Sequence, residues 1–171
     1  MNPGAAVSRY KLLGLVSAVI LVVDQATKLY IDSRFLLHES VQVLENFFHI
    51  TYVRNKGAAF GILSDSPLRI PFFITVALVA ALGILWYLSR TRADQRLLHF
   101  ALALVFSGAV GNLIDRIRLG EVIDFLDAHW YGHHWPAFNV ADSAITVGVA
   151  LMLLDMWREE RKSKNDKKES K

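Results

Sequence analysis

The stretch FNVADSAITVGVALMLLDMW (138–157) places an aspartate, Asp142, at the mouth of an otherwise apolar run. About twenty apolar residues as a helix cross the hydrocarbon core of a bilayer, and here they surround the helix instead of forming one stripe, as lipid-embedded segments do. Asp142 has an ordinary local reading. Asn139 is a good N-cap, and an acid three residues on closes a capping arrangement and complements the helix dipole. Local sequence alone favours that reading. A second acid, Asp124 in GEVIDFLD (120–127), lies in the connection leading to this segment. Flanked by Ile123 and Phe125, it is harder to dismiss as solvated punctuation, because partial desolvation favours its neutral form.

Three more stretches of similar character precede it: about 12–31, 68–88 and 97–117. The expected fold is therefore an all-α membrane protein with four transmembrane helices. Composition agrees: 53% of the 171 residues are hydrophobic, and the mean hydropathy is +0.31. The first stretch follows Arg9 and Lys11 as a secretory leader would, but three spans follow it and no small-residue cleavage site does, so it reads as retained. No cysteine is present, which excludes disulfides, thiolate metal sites and cysteine nucleophiles. A single membrane domain over 1–157, followed by a charged tail at 158–171, is the expected organisation.

Charge fixes an orientation. Seven of the 19 Lys and Arg residues lie in the last fourteen positions, Arg90, Arg92 and Arg96 sit in the second connection, and Arg9 and Lys11 precede the first span. The 118–137 connection carries only Arg118 against Glu121, Asp124 and Asp127. The positive-inside bias puts both termini and the 89–96 turn in the cytoplasm. Asp124 and the start of the fourth span then face outward, beside Trp130, Tyr131 and Trp135 as an interfacial aromatic belt. The basic tail reads as a solvated cytoplasmic segment, not a nucleic-acid arm.

The 32–67 connection is long enough to have structure of its own. SVQVLENFFHITYVRN (40–55) is rich in β-branched and aromatic residues, broken by a Glu45-Asn46 pair suited to a turn, and predicts a hairpin within a small β-rich outer element over about 40–61. NKGAAFGIL (55–63) then suits close backbone contact or a short surface helix.

Ionisable groups inside spans need a partner or a task. Asp24 and Lys28 lie four apart on one helical face and can pair, supporting a site instead of being one. Ser107, Gly108 and Gly111 make a small-residue face for close helix approach. Asn112, Asp115 and Arg116 share one side of the same helix. Adjacent Asp115 and Arg116 do not face each other, so each needs a partner elsewhere. If the loop folds back, Asp124 and Asp142 can occupy one pocket. Two neighbouring carboxylates do not both ionise easily, so one keeps a proton while the other acts as base. Spacing alone is weak support for that pairing.

Together, NKGAAFG (55–61), SGAVGNLIDR (107–116), GEVIDFLD (120–127) and FNVADSAITVG (138–148), with DQATK (24–28) in the first span, closely resemble the bacterial lipoprotein signal peptidases, or signal peptidase II. The resemblance covers nearly the whole chain apart from the arm and tail. It implies an aspartic endopeptidase of the inner membrane that removes the signal peptide from diacylglyceryl-modified prolipoproteins just before the lipidated cysteine. Asp124 and Asp142 would be the catalytic dyad. Asn55, Asn112, Arg116 and Asn139 would bind substrate or hold the dyad, and Asp24, Lys28, Gly57, Gly108 and Asp115 would support the structure. No cofactor, no metal and no nucleic acid is expected; the surroundings are membrane lipids and the state monomeric.

Two rivals come from other classes. An ion-coupled transporter wants its polar groups near the midplane on broken helices, often in repeated halves; here they cluster at outer ends and no repeat is seen. DAHWYGHH offers Asp127, His129, His133 and His134 to zinc, but Gly132 and Pro136 make that stretch a poor helix. The orientation is testable because the chain has no cysteine of its own. Single cysteines near residues 45 and 130 should react with a membrane-impermeant maleimide on intact spheroplasts, and those near 93 and 165 only after lysis. Labelling of position 93 from outside would reverse the scheme.

Overall fold

In the computed structural model, residues 3–57 and 66–169 are described, the side chains of 3–8 and 166–169 excepted. Four helices dominate: α1 (Pro3–Arg34), α2 (Arg69–Arg90), α3 (Arg96–Leu119) and α4 (Val140–Glu169). All four are long and apolar enough to cross a membrane. Their bounds run past the expected spans, and α4 continues as helix through the charged tail.

The first turns of α1, the charged part of α4 and the 91–95 turn lie at one end of the bundle. There the buried Arg9 of α1 donates from Nη1 to the carbonyls of Leu88 at 3.0 Å and Thr91 at 2.8 Å. A cation on the last carbonyls of α2 satisfies orphan acceptors and complements the dipole. At the other end of α2, Arg69 Nη1 donates to Lys56 O and Gly120 O, both at 3.2 Å.

α3 is the hub, packing on α1, α2 and α4. Its small-residue face does what the sequence expects. A methyl group on Gly108 would collide with the carbonyl of Ala141 and with Ile145, and one on Gly111 would stand 2.8 Å from Asp24 Oδ2. The α3–α4 contact is thus close enough for Asp24, on α1, to reach past Gly111 to the start of α4.

The predicted hairpin is present: β1 (Ser40–Leu44) pairs antiparallel with β2 (Phe48–Asn55). Asn46 takes a positive φ of 63° in the turn between them, a conformation Asn tolerates. The sheet is larger than expected, because the 118–137 connection supplies two more strands, β3 (Val122–Trp130) and the short β4 (His133–His134), in the order β1-β2-β3-β4. β2 is pinned to the end of α1 by Tyr52. Its hydroxyl donates to Asp32 and accepts from Arg54 Nε, while its ring packs with Ile31, Ile123 and Phe125. The second half of NKGAAFGIL lies outside the described residues.

Gly108→Ala should be overpacked, at a cost of about 1–3 kcal/mol, because backbone as well as side chain must move. Gly14→Ala and Gly83→Ala, with open space around them, should be neutral or slightly stabilising. Thermal unfolding in detergent distinguishes them, and equal melting points for all three variants would contradict the close α3–α4 approach.

Candidate active site

The strand that sequence reading missed is the one that builds the site. Asp124 stands on β3 opposite Val53 of β2, so Asn55, two residues along, is its diagonal neighbour on the same face. Asn55 Nδ2 donates to Asp124 Oδ2 at 2.9 Å. The chain then returns: Phe138 and Leu126 bond each other's backbones reciprocally, at 2.8 and 3.0 Å. That bridge delivers the start of α4 to the middle of β3.

Asn139 is the joint. Its Oδ1 accepts from Asp142 N at 2.9 Å, and its own backbone N donates to Asp142 Oδ2 at 3.3 Å, a reciprocal cap of the kind the sequence suggests. Its Nδ2 donates to Asp124 Oδ1 at 2.7 Å. One residue therefore holds both acids, and capping and site-building are the same geometry. Asn112 of α3 completes the frame by donating from Nδ2 to Asp142 Oδ1 at 2.7 Å.

Behind this frame lies a buried ionic cluster. Lys28 Nζ is 2.9 Å from Asp24 Oδ2 and 2.9 Å from Asp115 Oδ2, and donates to Asn112 Oδ1 at 3.0 Å. The expected Asp24–Lys28 pair is thus half of a triad, and Asp115 finds its partner in α1. Asp24 Oδ1 accepts from Ala141 N at 2.9 Å in the first turn of α4, and Asp115 Oδ2 from Ile123 N at 3.3 Å in β3. Asp24, Lys28, Asp115, Asp124 and Asn139 are each no more than 2% exposed. Removing Lys28 leaves two buried acids without their cation and costs about 3–5 kcal/mol.

Arg116 pairs elsewhere, as expected. Its guanidinium lies over the Phe73 ring, 4.7 Å from the centroid, and Nη2 donates to Gly57 O at 3.3 Å. Gly57 in turn donates its backbone N to Asn55 Oδ1 at 3.0 Å. The acids open onto a cleft of about 830 Å³ whose walls are Phe73, Val76, Ala77 and Ala80 of α2, Val105 and Ala109 of α3, and Ile145 of α4. One end is polar and the rest is apolar.

Two contributors went unread in the sequence. Gln25 Nε2 donates to Asp24 Oδ2 at 3.1 Å and Asp115 Oδ1 at 3.0 Å, bridging the two acids beside Lys28; its position three residues before Lys28, on the same helical face, was the available signal. Phe73 had no local signal. The histidine stretch lies apart from the acids. His134 Nδ1 is 2.9 Å from Asp127 Oδ1, and the His129 and His134 rings stack at 4.6 Å. Among the described residues, no group of three or more His, Asp or Glu side chains is arranged to hold a metal ion.

A membrane bundle whose apolar cleft ends in two braced carboxylates defines a class of protein, and the comparisons narrow it. The signal peptidase II family model matches residues 16–158, and the chain belongs to that family. It is 59% identical to the lipoprotein signal peptidase of Geobacter metallireducens, over 92% of this chain and 97% of the relative. It is 42% identical to that of Pseudomonas putida, over 93% and 95%. A bacterial membrane enzyme solved by the in meso method at 2.3 Å resolution superposes with a TM-score of 0.79 at 31% identity, over 94% of this chain and 92% of that one.

Burial, and then the neighbouring Asp142 carboxylate, push Asp124 up to about 7, against the hydrogen bonds from Asn55 and Asn139. A carboxyl whose folded value is raised adds stability that is full below its unfolded value and is lost as pH rises from there through the folded value. Asp124→Asn cannot ionise, so its melting temperature relative to wild type should improve as pH goes from 5 to 9. A difference that stays flat across that range would mean that Asp124 ionises freely in the folded protein.

Proposed function

We propose that the chain is an aspartic endopeptidase acting within the membrane on lipoprotein precursors, with Asp124 and Asp142 as its catalytic dyad. The observation that carries this is the sharing of Asn139, which donates to Asp124 and caps Asp142, so that two carboxylates face one cleft. Family membership supplies the peptidase chemistry, and the relatives' names supply the substrate class. The substrate on this reading is a diacylglyceryl-modified prolipoprotein, cut just before its lipidated cysteine.

The chemistry follows from a dyad holding one proton. The ionised carboxylate takes a proton from water as the oxygen attacks the scissile carbonyl carbon, while the protonated partner hydrogen-bonds the carbonyl oxygen. Collapse of the tetrahedral species returns the electron pair to the carbon–oxygen bond, breaks the carbon–nitrogen bond and passes a proton to the departing amine. The pair titrates as a unit. Asn55, Asn112 and Asn139 hold the acids, and Arg116, anchored on Phe73, lines the polar end where an extended peptide would lie. The apolar walls suit a signal helix and acyl chains that stay in lipid.

With the basic residues inside, the dyad lies near the outer surface of the inner membrane and both termini are cytoplasmic. A monomer working without a cofactor suffices for this chemistry.

Asp124→Asn and Asp142→Asn should each abolish cleavage of a lipidated prolipoprotein, by at least the ~10²–10⁴-fold typical of general acid–base help. The double variant should be barely worse than either single, since the pair acts as one unit. Asp155→Asn, at the middle of α4 and away from the cleft, is the matched control. Near-normal single-turnover cleavage by folded Asp142→Asn would reduce Asp142 to a helix cap and end the aspartic reading.

A further inference from the structure

We propose that Lys28 is a positioning residue for the peptidase site: its ammonium fixes which end of the Asn112 amide faces Asp142. The inference rests on the dyad reading above and goes beyond a bracing role for the buried cluster.

An asparagine amide has an acceptor end and a donor end of nearly the same shape. Each asparagine beside a carboxylate therefore needs something that holds it donor-first. Three asparagines donate to the dyad, and the far end of each amide is anchored differently. Asn55 Oδ1 accepts from the Gly57 backbone N–H at 3.0 Å, which leaves Nδ2 for Asp124. Asn139 Oδ1 accepts from the Asp142 backbone N–H at 2.9 Å, which leaves Nδ2 for Asp124 as well. Those two anchors are main chain and cannot change role.

Asn112 is anchored by side chains. Its Oδ1 accepts from Lys28 Nζ at 3.0 Å and from Asn139 Nδ2 at 3.2 Å, and its Nδ2 then meets Asp142 Oδ1 at 2.7 Å. An ammonium has three donors and no acceptor, so a turned Asn112 would set donor against donor. Burial makes that mismatch costly, because Lys28 is 1% and Asn112 7% exposed. Lys28 itself is held by Asp24 and Asp115, each 2.9 Å away. The cation thus acts on Asp142 through one amide, without touching the acid or the substrate. With Lys28 gone, Asn112 Oδ1 keeps only the 3.2 Å bond from Asn139 Nδ2, whose two hydrogens are shared with Asp124 Oδ1 at 2.7 Å and Ile123 O at 3.3 Å. The amide is then weakly held and can present its carbonyl to Asp142, which suits a protonated acid and withholds the base form until higher pH.

The test separates this effect from a change in net charge and from loss of fold. Lys28→Met leaves two buried acids without their cation and risks unfolding. The decisive variant is Lys28→Met combined with Asp115→Asn, which removes one positive and one negative charge together. Cleavage of a lipidated peptide is followed from pH 5 to 9 at equal folded concentration. The double variant should lose at least ~10-fold in kcat with a smaller change in KM. The acid limb of its kcat profile should move upward by about half a pH unit or more. Asp115→Asn alone keeps the amide held and removes an anion, so its limb should stay at or below the wild-type position. A double variant with the wild-type limb, alongside an inactive Asp124→Asn, overturns the Lys28 assignment and leaves the dyad standing. An active Asp124→Asn overturns the dyad, and this assignment with it.

Discussion

The structure depends on a single buried ammonium. Lys28 meets Asp24 and Asp115 at 2.9 Å each, and the same two carboxylates also accept from main-chain N–H groups of α4 and β3. In a medium that offers no water to share, Asp115 on α3 is tolerated only where a cation reaches it, and Lys28, already paired with Asp24 on α1, is that cation. The ion pair therefore joins α1 to α3, and the further hydrogen bonds accepted by the two acids fix where the last helix and the third strand begin. Helix assembly and the placing of Asp124 and Asp142 are one event in this chain.

That constraint also explains why the bundle can be so closely packed at one seam. Asp24 reaches Ala141 only because Gly111 has no side chain to block it, and Gly108 lets the Ala141 carbonyl come against α3. Small residues supply proximity and polar residues supply the reason to be near, a division of labour expected where lipid gives helices no hydrophobic drive to associate.

Much of this was legible in the sequence. The spans follow from length and apolarity, the hairpin from the β-branched run around Glu45-Asn46, and the cap from the Asn139 to Asp142 spacing. These are local signals, and local physics decides them. The sheet that carries Asp124 was not read, because VIDFLDAHW, with Asp124 and Asp127 three apart, lacks the alternation that would separate a strand from a membrane-surface loop. The bond from Gln25 to Asp115 and the stacking of Arg116 on Phe73 are contacts between segments far apart in the chain. No short window of sequence contains both partners. The resemblance named these polar residues, while which amide faces which acid is a matter of three-dimensional geometry.

One wall of the cleft is attached in an unusual way. α2 is clipped at either end by an arginine on main-chain carbonyls, Arg9 at Leu88 and Thr91, Arg69 at Lys56 and Gly120. Between the clips, Phe73 carries the Arg116 guanidinium, while Val76, Ala77 and Ala80 face the cleft and make none of the polar contacts around the acids. Dispersion contacts have no direction. The bore of the groove can therefore drift by a methylene here or there over evolutionary time while every hydrogen bond at the polar end stays in register. Breadth and chemistry are carried by separate sets of positions, and a lineage can retune one without reopening the other.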